Sequence, residues 1–347
     1  MPNPPNKAAV ILSPRTLRAK DLSSIAALPR LPLTSSFRAR LSRGICFSLL
    51  CCLAIFVACN CILPVAFAPP KRPAILGVAF VRISVSSVEG AKKFYGDALG
   101  LPLINQCFSE SAAQCFFIKP LQELQVAQLD HRPGERLVAA IGILTSDAGT
   151  LREYLIANGA HPGKLESPHD GAPFFEISDP EGRQLVFIST HGVAGSVLGG
   201  DRQVSVHLIH AGFIVRDRAA TEHFYKDILG FRPYWHGGMK NNETDWISLQ
   251  VPDGTDWVEL MVNVDKNPDQ ALRGIMNHIA LGVPDIHAAQ QQLLKNGMKL
   301  TEEPKIGRDG KWQLNLYDPD MTRIELMEFT PVEKPCCSDY TGPHPKP

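Results

Sequence analysis

The sequence lacks most of the signatures by which an enzyme declares its chemistry. It has no glycine-rich phosphate loop, no nucleophile elbow and no Cys-x-x-Cys pair, which excludes phosphate cradling, serine-hydrolase chemistry and dithiol exchange on those scaffolds. It has no net charge either: Lys plus Arg and Asp plus Glu both total 35. No long-range field therefore draws it to nucleic acid or to an acidic surface, and nucleic acid is not expected as a partner. Cysteine is scarce beyond the N-terminal region. Five of nine (Cys46, Cys51, Cys52, Cys59, Cys61) lie in one apolar run as small hydrophobes, and Cys336 and Cys337 have no metal-ligand spacing around them. Cys107 and Cys115 flank "FSESAAQ". They either pair across a hairpin, as export would allow, or stay as two thiols.

What is present begins with length. A chain of 347 residues that is 44% hydrophobic buries a substantial core, is not disordered, and has room for about two domains. Its first 44 residues carry eight basic residues against one acid, Asp21, and precede "ICFSLLCCLAIFVACNCILPVAFA", residues 45–68, which has no charge. Residues 1–74 are thus read as a basic extension with a signal peptide or membrane anchor. Ala66-Phe67-Ala68 offers a signal-peptidase pattern, retention offers a single anchor, and Cys59 offers a lipidation site. The expectation is an exported protein, periplasmic or secreted, or one tethered to a membrane through residues 45–68.

From residue 75 the chain repeats itself. "KKFYGDALGL" at 92–101 returns as "EHFYKDILGF" at 222–231, and "SDPEGRQLVF" at 178–187 returns as "YDPDMTRIEL" at 317–326. Each half divides again, every quarter opening on an alternating strand, passing through a helix-like segment and closing on short strands. Ser86 or Ser87, Asp147, Asp217 and Asp285 stand where the helices should start. The reading is α+β, with four βαβββ modules in two domains: 75–192, a linker 193–205, 206–330, then a Pro-rich tail 331–347.

Strand parity places the chemistry. In "MNHIALGV", Ile279, Leu281 and Val283 share one face and His278, Ala280 and Gly282 the other; His210, Gly212 and Ile214 lie likewise opposite Ile209, Ala211 and Phe213. The closing strands set Trp257, Glu259 and Met261 on one face and Arg323, Glu325 and Met327 on another. Each module of the second half therefore points one His and one Glu into the hollow of its sheet, 49 and 47 residues apart. A lone His or Glu in a strand is ordinarily a hydrogen-bonded core residue. Four at matched repeat positions instead form a divalent-metal site, whose ion offsets the burial of the carboxylates. In the first half the matching places hold Phe80, Ala140, Val186 and either Leu124 or Gln125, so no metal is expected there. Arg82 and Glu176 face that hollow, as a structural ion pair. By the same parity, Trp246, Ser248, Gln250, Gln313, Asn315 and Tyr317 are candidates for orienting a substrate.

These modules, the "FY-x-D-x-LG" helix end and the "DP(E/D)" turn resemble the vicinal oxygen chelate superfamily, which includes glyoxalase I, extradiol dioxygenases and bleomycin-resistance proteins. The resemblance spans residues 75–330. It implies that His210, Glu259, His278 and Glu325 take the places of the His, Glu, His and Glu ligands of glyoxalase I. On that reading the chain is a lyase or isomerase holding Zn, Ni or Co and acting on a small substrate chelated through adjacent oxygens, with Glu259 or Glu325 as base. An extradiol dioxygenase would use His210, His278 and Glu325 on Fe(II), leaving Glu259 outside, and four modules in one chain speak for it. A non-catalytic, resistance-type binding protein is the third alternative. The sequence leaves the substrate and the oligomeric state open.

Overall fold

The four modules follow one another as expected, and the helix after each opening strand begins where its cap residue stands. A computed structural model describes residues 70–108, 114–128, 137–168, 171–191 and 199–347; the basic extension and the apolar run lie outside them. The first half comprises β1 (Ile75–Val85), α1 (Val88–Ala91, continuing as a π-helical Lys92–Ala98), β2 (Leu103–Ile104), β3 (Gln114–Lys119), β4 (Gln122–Gln128), β5 (Val138–Thr145), α2 (Ala148–Ala157), β6 (Phe174–Ser178) and β7 (Gln184–Ser189). The second comprises β8 (His207–Ile214), α3 (Arg218–Glu222, continuing as a π-helical His223–Ile228), β9 (Arg232–Gly237), β10 (Trp246–Gln250), β11 (Trp257–Met261), α4 (Gln270–Met276), β12 (His278–Val283), α5 (Ile286–Lys295), β13 (Lys305–Ile306), β14 (Trp312–Tyr317) and β15 (Arg323–Glu328). Ser87, Asp147, Asp217 and Asp285 each accept a backbone N–H of the first helical turn, satisfying donors that a helix start leaves open. Two details depart from the pattern. The second module reduces one closing strand to a single bridge, Glu166 to Phe174, and α4 is an extra helix joining the third module to the fourth. Among the described residues no helix is long and apolar enough to cross a membrane.

Each half makes one sheet. The strand orders are β2-β3-β4-β1-β5-β7-β6 and β13-β14-β15-β12-β8-β11-β10-β9, so modules pair within a half through their opening strands, antiparallel at β1–β5 and β8–β12. The closing strands β4, β7, β11 and β15 run parallel to those openers, which brings the first and last strands of every module side by side. One apolar cluster, from Val81 and Phe116 through Phe213 and Leu326, fills the faces under the helices of both halves.

The sequence motifs that repeat prove to be the suture between the halves. Tyr95, from the first "FY", donates to Asp318 of the last "DP" turn at 2.8 Å, and Tyr225, from the second "FY", donates to Asp179 of the other "DP" turn at 3.2 Å. The backbone N–H groups of Ser86 and Asp217, at the starts of the same helices, reach Asp320 and Glu181 of those same turns. A second tie runs through Gln122, whose amide bonds the backbone of Val78 and of Leu208. Asp256 accepts from Val78 N–H on one oxygen and meets His207 Nε2 at 2.7 Å on the other.

Residues 331–347 are not a loose appendage. Thr341 N–H donates to the Tyr234 carbonyl, Trp235 Nε1 donates to the Cys336 carbonyl, and the Lys346 carbonyl lies 2.6 Å from His207 Nδ1. The tail thus runs along β9, and the rings of Tyr340 and His344 pack against Tyr234. Cys107 is bonded to Cys115, and Cys336 to its neighbour Cys337; the latter bridge was not anticipated from spacing.

Candidate metal centre

The hollow of the second sheet draws its four expected donors from four different strands. Register sets them level: Trp257 pairs with His210 and Glu259 with Gly212, while His278 faces Gly212 and Ala280 pairs with Glu325. Small residues beside the imidazoles make the room. A Cβ on Gly212 would overlap the His278 ring, so glycine here is a requirement of space.

The two imidazoles meet Nε2 to Nε2 at 3.1 Å. Glu259 Oε2 lies 3.2 Å from His278 Nε2 and 3.8 Å from His210 Nε2, and Glu325 Oε2 lies 3.8 Å and 3.9 Å from the same two nitrogens. Bonds of about 2.1 Å from a common centre require donor separations of this size, so the residues fit a divalent ion. His210, Glu259 and His278 bring ligand atoms within 4.8 Å of one another, a set that can hold a metal. The electrostatics agree. Burial holds both histidines well below their ordinary range, hence neutral with lone pairs to give. Burial also pushes Glu325 up to about 7, with Arg323 working against the rise. Ser248 Oγ donates to the other oxygen of Glu259 at 3.3 Å, and the His210 ring stacks on Trp257 at 4.7 Å between centres.

The cup opens into a cavity of about 360 Å³, whose lining includes His210, Glu259, Glu325, Trp246, Ser248, Gln313 and Asn315. Two further sequence candidates fall elsewhere. Gln250 is buried, with its amide given to the carbonyls of Thr255 and Pro343, because the tail covers that end of β10. Tyr317 does not line the cavity and gives its hydroxyl to Glu302. Parity also misplaces Ile209. The register between β8 and β12 shifts there, and the bulge turns Ile209 to the same side as His210, where it packs with Trp257 and Phe329. In the stretch "YWHGGMK" at residues 234–240, Trp235 lines the cavity while Met239 is exposed.

Sequence reasoning missed Tyr234, Arg308, Asp309 and Tyr340, all lining the cavity. The last three come from the turn before β14 and from the tail, where no repeat or alternation marks them. His207, too, carried no signal, since its partner Asp256 is recognisable only once the strands are paired.

In the first half the same geometry is filled in. Strand pairing resolves the open alignment: Gln125 is level with Arg82 as Glu259 is level with Gly212, and Ala140 faces Arg82 as His278 faces Gly212. The bulk is exchanged, an arginine opposite alanine in place of a glycine opposite histidine. Arg82 Nε donates to Gln125 at 3.0 Å, Glu176 and Glu123 lie near enough for their charge to support its own, and Phe80, Ala140 and Val186 close an apolar cluster. Cys107 and Cys115, which with Glu123 form a second candidate metal set, are committed to their disulfide.

Gly212→Ala tests the space argument. The added methyl should displace the His278 ring, costing about 1–3 kcal/mol of stability, and weaken metal binding roughly ten-fold or more. Thermal unfolding and a cobalt(II) titration measure the two effects, and an unchanged metal affinity would contradict the geometry.

Paired βαβββ modules around a cup of two histidines and two glutamates define the fold and the donor set. Residues 207–326 match the model of the Glyoxalase/Bleomycin resistance protein/Dioxygenase superfamily. The fold is shared with an extradiol ring-cleaving dioxygenase from B. fuscum (17% identity, TM-score 0.56, 75% of this chain and 73% of that one). It is also shared with the 2,3-dioxygenase LapB from Pseudomonas sp. KL28 (15%, 0.56, 80% and 96%) and with a Mn(II)-bound glyoxalase from Novosphingobium aromaticivorans (15%, 0.56, 74% and 83%). Comparison with curated proteins gives no match.

Proposed function

We propose that the protein moves a proton on a small substrate that presents two adjacent oxygens to a divalent ion held by His210, Glu259, His278 and Glu325, as a glyoxalase I-like lyase or isomerase. The observation that carries this reading is the place of Glu259, whose Oε2 stands 3.2 Å from His278 Nε2 and inside the donor set. The ion, Zn, Ni or Co, supplies Lewis acidity toward the substrate oxygens. The chain supplies the rest. Glu259 is 9% exposed at the cavity wall and held by Ser248 on one oxygen, so it can take a proton from a bound substrate and return it at a neighbouring atom. Asn315 and Gln313 offer amides for orientation, and Trp246 with Trp235 forms an aromatic wall. Export or anchoring through residues 45–68 is part of the proposal and argues against a glutathione conjugate, a mainly cytoplasmic compound, as substrate.

A second reading has one observation in its favour. The aromatic lining of the cavity, Tyr234, Trp235, Trp246, Trp257 and Tyr340, suits a planar ring, and ring-cleaving dioxygenases share the fold. That enzyme would hold Fe(II) on His210, His278 and Glu325 with Glu259 aside. Four-module length no longer favours it, because the glyoxalase from N. aromaticivorans matches over a similar span. Elemental analysis of the purified protein followed by a screen of hemithioacetals against catechols tests both. Near one Zn, Ni or Co per chain with hemithioacetal turnover is expected; iron with catechol cleavage would replace the first reading by the second.

A further inference from the structure

One charged group beside the cup belongs to none of the pairs described. Lys311, in the turn entering β14, has no exposed surface, and its Nζ has no hydrogen-bond partner. What surrounds it is aromatic. The ammonium lies 4.8 Å from the centre of the Trp257 ring, 5.2 Å from that of Tyr340 and 5.7 Å from that of Tyr234, within cation–π range of all three. The first and last rings come from the third module and the middle one from the tail. Tyr340 is itself fixed by its hydroxyl on the Asp309 carbonyl, so the box is assembled from three separate segments around one lysine.

A buried ammonium without a partner is costly, and an apolar side chain would fill the same space without that cost. Burial accordingly brings Lys311 down to about 8, while Asp309, Glu325 and Glu259 act to keep its proton in place. The influence is mutual, for its charge is felt at His210. Around the cavity Glu259, Glu325 and Asp309 face Arg308 and Arg323 at its wall and Lys311 behind it, and Lys305, which also lines it, is paired with Glu302, four charges of each sign. A divalent ion added to that balance leaves an excess of two positive charges, and the excess suits a ligand that arrives as an anion.

We propose that Lys311 is a positioning residue, a cation fixed in the Tyr234–Trp257–Tyr340 box whose field makes the cup select anionic chelating ligands over neutral ones. The inference rests on the metal reading above. It predicts opposite effects on the two binding events, since a positive charge repels the metal and attracts the anion.

The full chain and its Lys311→Met and Lys311→Arg variants, loaded with cobalt(II), are titrated with acetohydroxamate, an anionic chelator, and with imidazole, a neutral ligand, while the visible spectrum of the cobalt is followed. Lys311→Met should hold cobalt(II) at least as tightly as the parent and bind acetohydroxamate about ten-fold more weakly, with imidazole binding unchanged. Lys311→Arg should retain the preference for the anion. Equal losses for both ligands, a loss of cobalt, or undiminished acetohydroxamate binding would each overturn the proposal. If Lys311→Met does not fold, Lys311→Gln carries the same comparison. A parent chain that takes up no cobalt overturns the metal reading first and this inference with it, an outcome distinct from failure in the variants alone.

Discussion

His278→Ala should abolish metal binding while leaving the fold in place. The imidazole is fully buried, its Nε2 faces three other donors within 3.8 Å, and its Nδ1 has no partner that the change would orphan. Loss of a group that merely orients a ligand costs roughly 10–100-fold in metal affinity, so loss of a donor should cost more than that. The thermal readout is equally direct. At a thousand-fold excess over Kd a bound ion stabilises the native state by about 4 kcal/mol, and that metal-dependent rise in Tm should vanish in the variant. Phe80→Leu and Ala140→Ser, at the matching places of the first half, should leave metal content and the Tm response unchanged. A His278→Ala protein that keeps its metal and its shift would remove the site from this hollow.

Glu259→Gln has the largest expected effect on catalysis and separates the readings. As fourth donor and base, Glu259 loses a full charge toward the ion and its capacity to accept a proton; turnover should fall by roughly 10²–10⁴-fold, and metal affinity should fall with it. In a dioxygenase with three ligands the same change should spare iron content and ring cleavage. A carboxylate that served only to accept the Ser248 hydroxyl would show neither effect. Glu325→Gln is the reference in all cases, being a ligand on both enzyme readings. Metal and catechol cleavage retained together in Glu259→Gln would overturn the lyase proposal.

The parts of this molecule that were legible in the sequence are those governed by period and repetition. Alternation in "MNHIALGV" places His278 on the open face because a strand with regular register has a period of two, and the helix starts at Asp147 and Asp285 carry their own side-chain signals. Where register slips, parity misleads, as at Ile209. The repeated "FY" and "DP" motifs were visible, but their meeting as Tyr95 with Asp318 and Tyr225 with Asp179 is a long-range pairing that local pattern does not encode. Tyr340 and Lys311 were illegible for the same reason: a lysine followed by tryptophan in a turn, and a tyrosine in a Pro-rich tail, acquire their roles only from each other. The absence of ligands from the first half was legible at Phe80, Ala140 and Val186. The exchange of Gly212 for Arg82 was not, since it compensates for a missing neighbour on the adjacent strand.

The crossed Tyr–Asp ties bear on how such a chain is free to change. Each half gives its tyrosine to the other's turn, the arrangement by which two identical subunits would clasp one another about a twofold axis, here written into one polypeptide. Joined in that way, the half without the four donors still has to hold its sister. Substitution should therefore be borne more readily in the lining at Phe80 and Val186 than at Asp179, Asp318 and Gln122, which hold the two halves together.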